Sequence, residues 1–269
     1  MPADNDPLFK SCLVVAHPDD ELLWFSSILE EVDRIIVCFG DSPSMPRLTR
    51  GRANVVRDHP CKNLDTLAIT EAGVFDCANW PVPDITSYGL HIRGRKNRAL
   101  GEQYRANYSV LVTQLKDVLS EYQNIYTHNS WGEYGHEEHV QVHRAVDACR
   151  RELGFNMWCS GYFGSRSHSL MVQETRRLTG KYFSRTTNRE LQRRLYALYD
   201  SESAWTWLTD MSDWLDAESM FLVDSDHDMN AHARYLPMNF IDMERPHPSW
   251  MDRSLRSLGK SILRRFLPG

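Results

Sequence analysis

Two short apolar runs, residues 12–16 and 35–39, are separated by one amphipathic stretch, and this spacing leaves little choice of architecture. Both runs are continuously apolar and rich in β-branched residues, as strands covered on both faces are. Between them Leu22, Phe25, Leu29 and Val32 recur at three and four residues, the stripe of a helix with one buried face. Strand, helix and strand in that order form a crossover unit, which implies parallel strands. The first strand runs directly into Ala16-His17-Pro18-Asp19-Asp20-Glu21. Polar groups at the carboxyl end of a parallel strand are where open α/β sheets collect ligands.

The alternation continues downstream. A short helix is expected over 52–58, a strand over 67–70 and a long loop over 80–98, where Pro81, Pro83, Gly89 and Gly94 cluster. Leu100, Tyr104, Tyr108, Leu111, Leu115, Val118 and Tyr122 hold helical spacing over about six turns. A strand over 124–128, a helix around 140–149 and a strand over 156–159 complete the pattern. The expected fold is α/β: a Rossmann-like, mostly parallel sheet flanked by helices over residues 1–165. Residues 166–269 shift in composition, with Arg, Gln and Leu at helical spacing over 175–199. They read as a mostly helical C-terminal extension packed on the same domain.

His and Asp are donors that suit a divalent metal such as zinc. A second His-rich segment, Tyr134-Gly135-His136-Glu137-Glu138-His139, can supply a missing ligand from the far side of the chain. Asp at a strand-helix junction commonly caps the helix instead. The coincidence with a Gly-flanked His-x-x-His after another strand favours the metal. Position 140 is Val, so the segment is not the H-E-x-x-H of zincins. His143 reads as a helix-surface or supporting residue.

These two motifs resemble the signatures of the PIG-L/LmbE-type zinc-dependent N-acetylglucosaminyl deacetylase family, and the similarity extends to about Gly161. The resemblance implies that His17, Asp20 and His139 are zinc ligands and that Asp19 is the general base. It implies that His136 stabilises the oxyanion or acts as general acid, and that Tyr134 assists it. The family's acidic residue after the second strand matches Asp41, and Arg50, Arg52 and Arg57 are candidates for its substrate-facing arginine. Glu138 stands where the family more often has Asp. Arg93 opens a basic cluster with Arg95, Lys96 and Arg98, and guanidinium forks suit phosphate oxygens. The substrate-binding candidates are therefore Asp41, Arg52 and Arg93. The implied cofactor is Zn2+, with Fe2+ as the alternative divalent ion. The implied reaction removes an N-acetyl group from an N-acetylglucosamine-type sugar of a glycoconjugate or its precursor. Its rivals are a metal amidase acting on another N-acyl amine or thiol conjugate, and a non-catalytic sugar-binding protein. Retention of Asp19 argues against the last, which needs no base beside its ligands.

Composition narrows the partners. The formal net charge of -5 gives a nucleic-acid partner no electrostatic support. No apolar run reaches the ~20 residues needed to span a bilayer. The start carries no apolar segment of signal-peptide type, and the six cysteines form no C-x-x-C pair. Reduced thiols in a cytoplasmic protein are expected. Residues 253–267 read as a basic amphipathic helix, either docked on the core or lying on an anionic membrane surface. Asp224, Asp226 and Asp228 lack the Gly and terminal Glu of a calcium loop and read as a turn. The oligomeric state is left open.

Overall fold

A computed structural model of the protein describes residues 6–207, 211, 214–223 and 235–241. β1 (Ser11–Val15), buried at every residue, leads into α1 (Asp20–Phe25), β2 (Arg34–Asp41), α2 (Pro46–Asp58) and β3 (Leu64–Thr70). A hairpin of β4 (Ile85–Thr86) and β5 (Gly89–Leu90) lies inside the expected loop, ahead of α3 (Arg98–Leu119). β6 (Asn124–Thr127), α4 (Glu137–Leu153), β7 (Asn156–Ser160) and β8 (Tyr162–Gly164) follow. The remaining elements are α5 (His168–Glu174), β9 (Leu178–Thr186), α6 (Arg189–Ser201), β10 (Ala217–Val223) and β11 (Asn239–Ile241).

Seven strands form one sheet in the order β3-β2-β1-β6-β7-β10-β9. The first five pair in parallel, and β10 runs antiparallel to both β7 and β9. The chain builds outward from β1 to β3, then returns to the other side of β1 with β6. The order reverses between β1 and β6, and strand ends at such a reversal open into a crevice. Both His-rich motifs leave the sheet there.

Period-two alternation divides the core. Cys12, Val14, Ile36 and Cys38 face a cluster with Leu111 and Leu115 of α3 and Val146 and Cys149 of α4. Leu13, Val15, Ile35 and Val37 face the other cluster, with Leu22 and Leu23 of α1, Val55 of α2 and Leu195 of α6. No disulfide joins the six cysteines, and four of them are buried.

Three expectations need correction. The first helix stops at Phe25 rather than running to Val32, because the carboxylate of Glu218 takes the Ser26 hydroxyl and the Ser27 amide. α2 begins at Pro46, six residues early, since a proline at the first helical turn loses no hydrogen bond. The tail is not mostly helical in its described part: residues 178–186 and 217–223 are strands that extend the same sheet. β9 is the edge strand and half-exposed, and Lys181 and Arg185 guard that edge, so its charge masked its alternation. Residues 224–228 and 253–267 lie outside the described residues. No helix among the described residues is long and apolar enough to cross a membrane.

One buried ion network braces α4. The Asp147 carboxylate pairs with Arg150 at 2.6 Å, Arg151 at 2.9 Å and Arg177 at 2.6 Å. Burial raises its proton affinity, but Arg177 and its other neighbours outweigh this and hold it below the usual carboxylate range. Asp147→Ala is expected to destabilise the fold by roughly 3–5 kcal/mol, because it strands buried guanidinium charge. A depressed folded pKa contributes stability above the unfolded carboxylate pKa, and that stability is lost as pH falls towards the folded value. Urea denaturation of both proteins at pH 7 and in acid should show the difference shrinking in acid.

Candidate active site

The site begins with a strained residue. Asp19 closes the turn after β1 at φ 111°, a left-handed conformation that non-glycine residues rarely adopt. The buried Glu21 carboxylate holds it there by accepting the Asp19 amide at 3.0 Å, and Tyr199 of α6 braces Glu21 at 2.8 Å. The Asp19 carboxylate does not cap α1. Its Oδ2 instead accepts the Thr206 hydroxyl at 2.8 Å. Burial, then the neighbouring Asp20 charge, raises the Asp19 pKa well above the usual carboxylate value.

Asp20 is held by two donors. Oδ2 accepts the His17 amide at 2.7 Å and Oδ1 accepts the Trp24 indole at 2.9 Å. Despite burial, the imidazoles of His139 and His128 keep it ionised, well below the ordinary value. His17 Nδ1 lies 3.4 Å from Asp20 Oδ2, and His139 Nε2 lies 3.2 Å from Asp20 Oδ1. Donors bound at about 2.0–2.2 Å to one tetrahedral ion stand about 3.3–3.6 Å apart. His139 Nε2 is buried with no hydrogen-bond partner. A buried imidazole nitrogen left orphaned beside a carboxylate fits a metal ligand.

Each of these imidazoles has a carboxylate behind it. Glu133 accepts His139 Nδ1 at 2.7 Å, and Glu138 accepts His17 Nε2 at 2.9 Å. That arrangement fixes the tautomer and orientation of metal-binding histidines. Burial works against a charge on His17, but bonds to Asp20 and Glu138 raise its pKa to about 10. A field that holds a proton this firmly also attracts a divalent cation.

Other donors gather nearby. His17, His136 and His139 form one group with ligand atoms within 4.8 Å, and Asp20, His128 and His139 form another. His128 does not fit a ligand role: its Nε2 accepts the Ala16 amide at 2.8 Å and its Nδ1 faces Glu133 at 3.0 Å. His143 bonds the His128 carbonyl through Nδ1 at 2.8 Å and supports the loop from beneath. His136 caps α4, its Nδ1 accepting the Glu138 amide at 3.2 Å. Burial and then His139 and His17 press its pKa well below 6.5, so the ring is neutral with its proton on Nε2. Burial keeps Tyr134 a phenol, its pKa well above 10.

The loop carrying these groups is tightly folded. Gly132 has φ 69°, and a Cβ there would stand 2.5 Å from the His136 carbonyl oxygen. Glu133 anchors the loop by accepting the Asn129 amide at 3.0 Å and the Ser160 hydroxyl. Glu137 turns away from the site, collecting the Cys77 and Ala78 amides at 2.8 and 2.7 Å. It thereby fixes the segment that carries Phe75.

These residues surround a cavity of about 380 Å³ whose walls include His17, Asp19, Asp20, Tyr134 and His136. Of the three substrate-binding candidates, the structure brings only Arg52 to it. Arg52 pairs with Glu71 at 2.9 Å, and its Nε is buried without a partner. Asp41 lies outside the wall, because its oxygens tie Thr49 of α2 and Thr70 of β3 together. Glu71, one residue beyond β3, is the acidic wall residue instead. Arg93 is exposed on the segment after the hairpin and does not line the cavity.

Four contributors were not foreseen. Glu71 follows an apolar run, so the strand-end logic that singled out His17 applies to it equally. Glu133 immediately precedes the second His-rich segment, six residues before His139, but nothing local marks it as a brace. Thr206 and Trp207 come from beyond α6, where the sequence carries no sign that the chain returns to the site. Trp207 packs edge-on against Tyr134 at 4.9 Å and Trp24 at 5.2 Å. Thr206→Val is expected to lower kcat about tenfold or more with KM and metal content little changed, since a hydrogen bond to a charged group is worth about 1.5–3 kcal/mol. Steady-state kinetics with elemental analysis checks this. An unchanged kcat would mean that Thr206 does not orient Asp19.

The family model for PIG-L, described as GlcNAc-PI de-N-acetylase, matches residues 12–150. The zinc-inhibited form of teicoplanin deacetylase superposes with a TM-score of 0.51 at 12% identity, over 81% of this chain and 99% of that one, and shares the fold. A deacetylase solved in complex with teicoplanin gives a TM-score of 0.49 at 12% identity, over 79% of this chain and 98% of the other. No curated protein sequence matches the chain. The span of the family model covers both His-rich motifs and the strands that present them, and the chain belongs to the PIG-L family of de-N-acetylases.

Proposed function

We propose that the protein is a zinc-dependent hydrolase that removes the N-acetyl group from an N-acetylglucosamine-type unit of a glycoconjugate or its precursor. The observation that carries this reading is the orphaned His139 Nε2 beside Asp20, with carboxylates bracing both His139 and His17. His17, Asp20 and His139 are the residues that would hold the metal. When bound, the metal supplies an acidified water as nucleophile and polarises the amide carbonyl.

The remaining chemistry belongs to the chain. Asp19 takes the proton from the water, and its raised proton affinity suits a base that must later act as an acid. Thr206 occupies Oδ2, which leaves Oδ1 to work. His136, neutral and protonated on Nε2, donates to the oxygen on which charge develops, and Tyr134 adds a second donor. Both are placed before charge appears, so little reorganisation is needed. Asp19 returns its proton to the leaving amine, and acetate and the free amino sugar depart. Arg52 and Glu71 present a guanidinium and a carboxylate to the sugar hydroxyls from one wall.

The test is acetate release from free, nucleotide-linked, lipid-linked and inositol-linked N-acetylglucosamine, with the free amine measured in parallel. Equal amounts of acetate and amine from at least one member are expected. No acetate from any of them, with metal present in the protein, would overturn the reading in favour of another N-acyl substrate.

A further inference from the structure

The space around the candidate site does not end at Glu71. A second cavity of about 590 Å³ adjoins the first, and Ser44, Glu71 and Gly73 are walls of both. Its far side is built by the first two turns of α3 with Ala99, Leu100 and Gln103, facing Pro43 from the loop before α2. This end of α3 is tied to β3: Gln103 donates to Asn107 at 2.7 Å, and Asn107 donates to the Thr70 carbonyl at 2.9 Å.

The lining has a definite chemistry. Pro43 and Leu100 offer apolar surface, while Ser44, Thr70 and Gln103 offer neutral hydrogen-bonding groups. Such a mixture matches a saccharide ring, which presents C–H faces and hydroxyl edges. The one ionisable side chain among its described walls is Glu71, an anion. That carboxylate is already engaged by Arg52 of the first cavity at 2.9 Å, and no Lys or Arg stands among the second cavity's own described walls to hold a phosphate. The basic side chains lie elsewhere: Arg95, Arg98 and Arg105 line a separate cavity that shares no residue with these two. Each of the joined cavities alone falls within the usual ~300–1,000 Å³ of a small-ligand site, and together they exceed what one sugar needs.

We infer that the second cavity is a subsite for an uncharged saccharide ring joined to the N-acyl sugar, so that the preferred substrate is a neutral glycan rather than a phosphate-linked sugar. The inference rests on the deacetylase reading and names the substrate class of that site. Binding energy from the second ring then supports positioning of the amide at the first.

The experiment compares acetate release from N-acetylglucosamine, its neutral β-linked disaccharide and its 1-phosphate. The wild type is run beside Ala99→Trp and Leu100→Trp, which fill the second cavity. The disaccharide is expected to show about tenfold higher kcat/KM than the monosaccharide. The 1-phosphate should show no advantage. Each Trp variant should erase the disaccharide advantage and leave the monosaccharide within about twofold of wild type. Equal kcat/KM for the wild type on both neutral substrates would overturn the inference while leaving the deacetylase reading intact. So would preference for the 1-phosphate, or a disaccharide advantage that survives both Trp variants. Acetate from none of the substrates would overturn the deacetylase reading itself, and this inference with it.

Discussion

Asp19→Asn is expected to lower kcat by about 10²–10⁴-fold while the metal content of the protein stays at the wild-type level. Asn tolerates the left-handed backbone that Asp19 adopts at φ 111°, so the turn after β1 is preserved. Its amide oxygen can still accept the Thr206 hydroxyl. On the proposed mechanism, the substitution removes the proton acceptor for the nucleophilic water. Asp20, His17 and His139 are untouched, which is why binding of the metal separates from turnover. Steady-state kinetics together with elemental analysis reads both quantities. Normal hydrolysis by this variant would show that another group is the base, and Glu71 and Glu138, which share the cavity wall, would be the next to test.

His139→Ala is expected to abolish metal binding and with it the activity. The imidazole is completely buried, and its Nε2 is the orphaned donor of the site. The change also deprives Glu133 of its 2.7 Å partner in a fully buried position, leaving His128 as its remaining imidazole. Loss of one member of a buried, hydrogen-bonded charge pair costs about 2–5 kcal/mol. The variant should therefore melt at a lower temperature as well as lack metal. Thermal melts and elemental analysis separate the two effects. Full metal occupancy in His139→Ala would remove His139 from the ligand set, with His136 as the nearest further donor beside His17.

Much of this was legible in the sequence, for a physical reason. β1 and β2 are buried on both faces, so their continuous apolar runs have no other use, and the polar residues that follow β1 stand out against them. The same contrast exposes His128 to His139 after β6. These two segments bracket the reversal of strand order, so placing the strands also placed the candidate ligands. Legibility failed where a role depends on distant chain. Asp41 has the residue type expected of a wall carboxylate, yet Thr49 and Thr70 engage it, and Glu71 takes that place from the neighbouring strand. Arg93 belongs to a cluster whose charge is conspicuous in sequence but which does not line the cavity. β9 hid behind Lys181 and Arg185, residues that suit an exposed edge and equally suit a helix. Thr206 reaches Asp19 across 187 positions, a contact that no local pattern encodes.

The most direct test of the central claim is acetate release from N-acetylglucosamine and its neutral disaccharide by the zinc-loaded protein, then by the same sample after chelation, then after zinc is restored. The account predicts release that stops on chelation and returns with the metal. Release that persists in protein verified to be free of metal would contradict it.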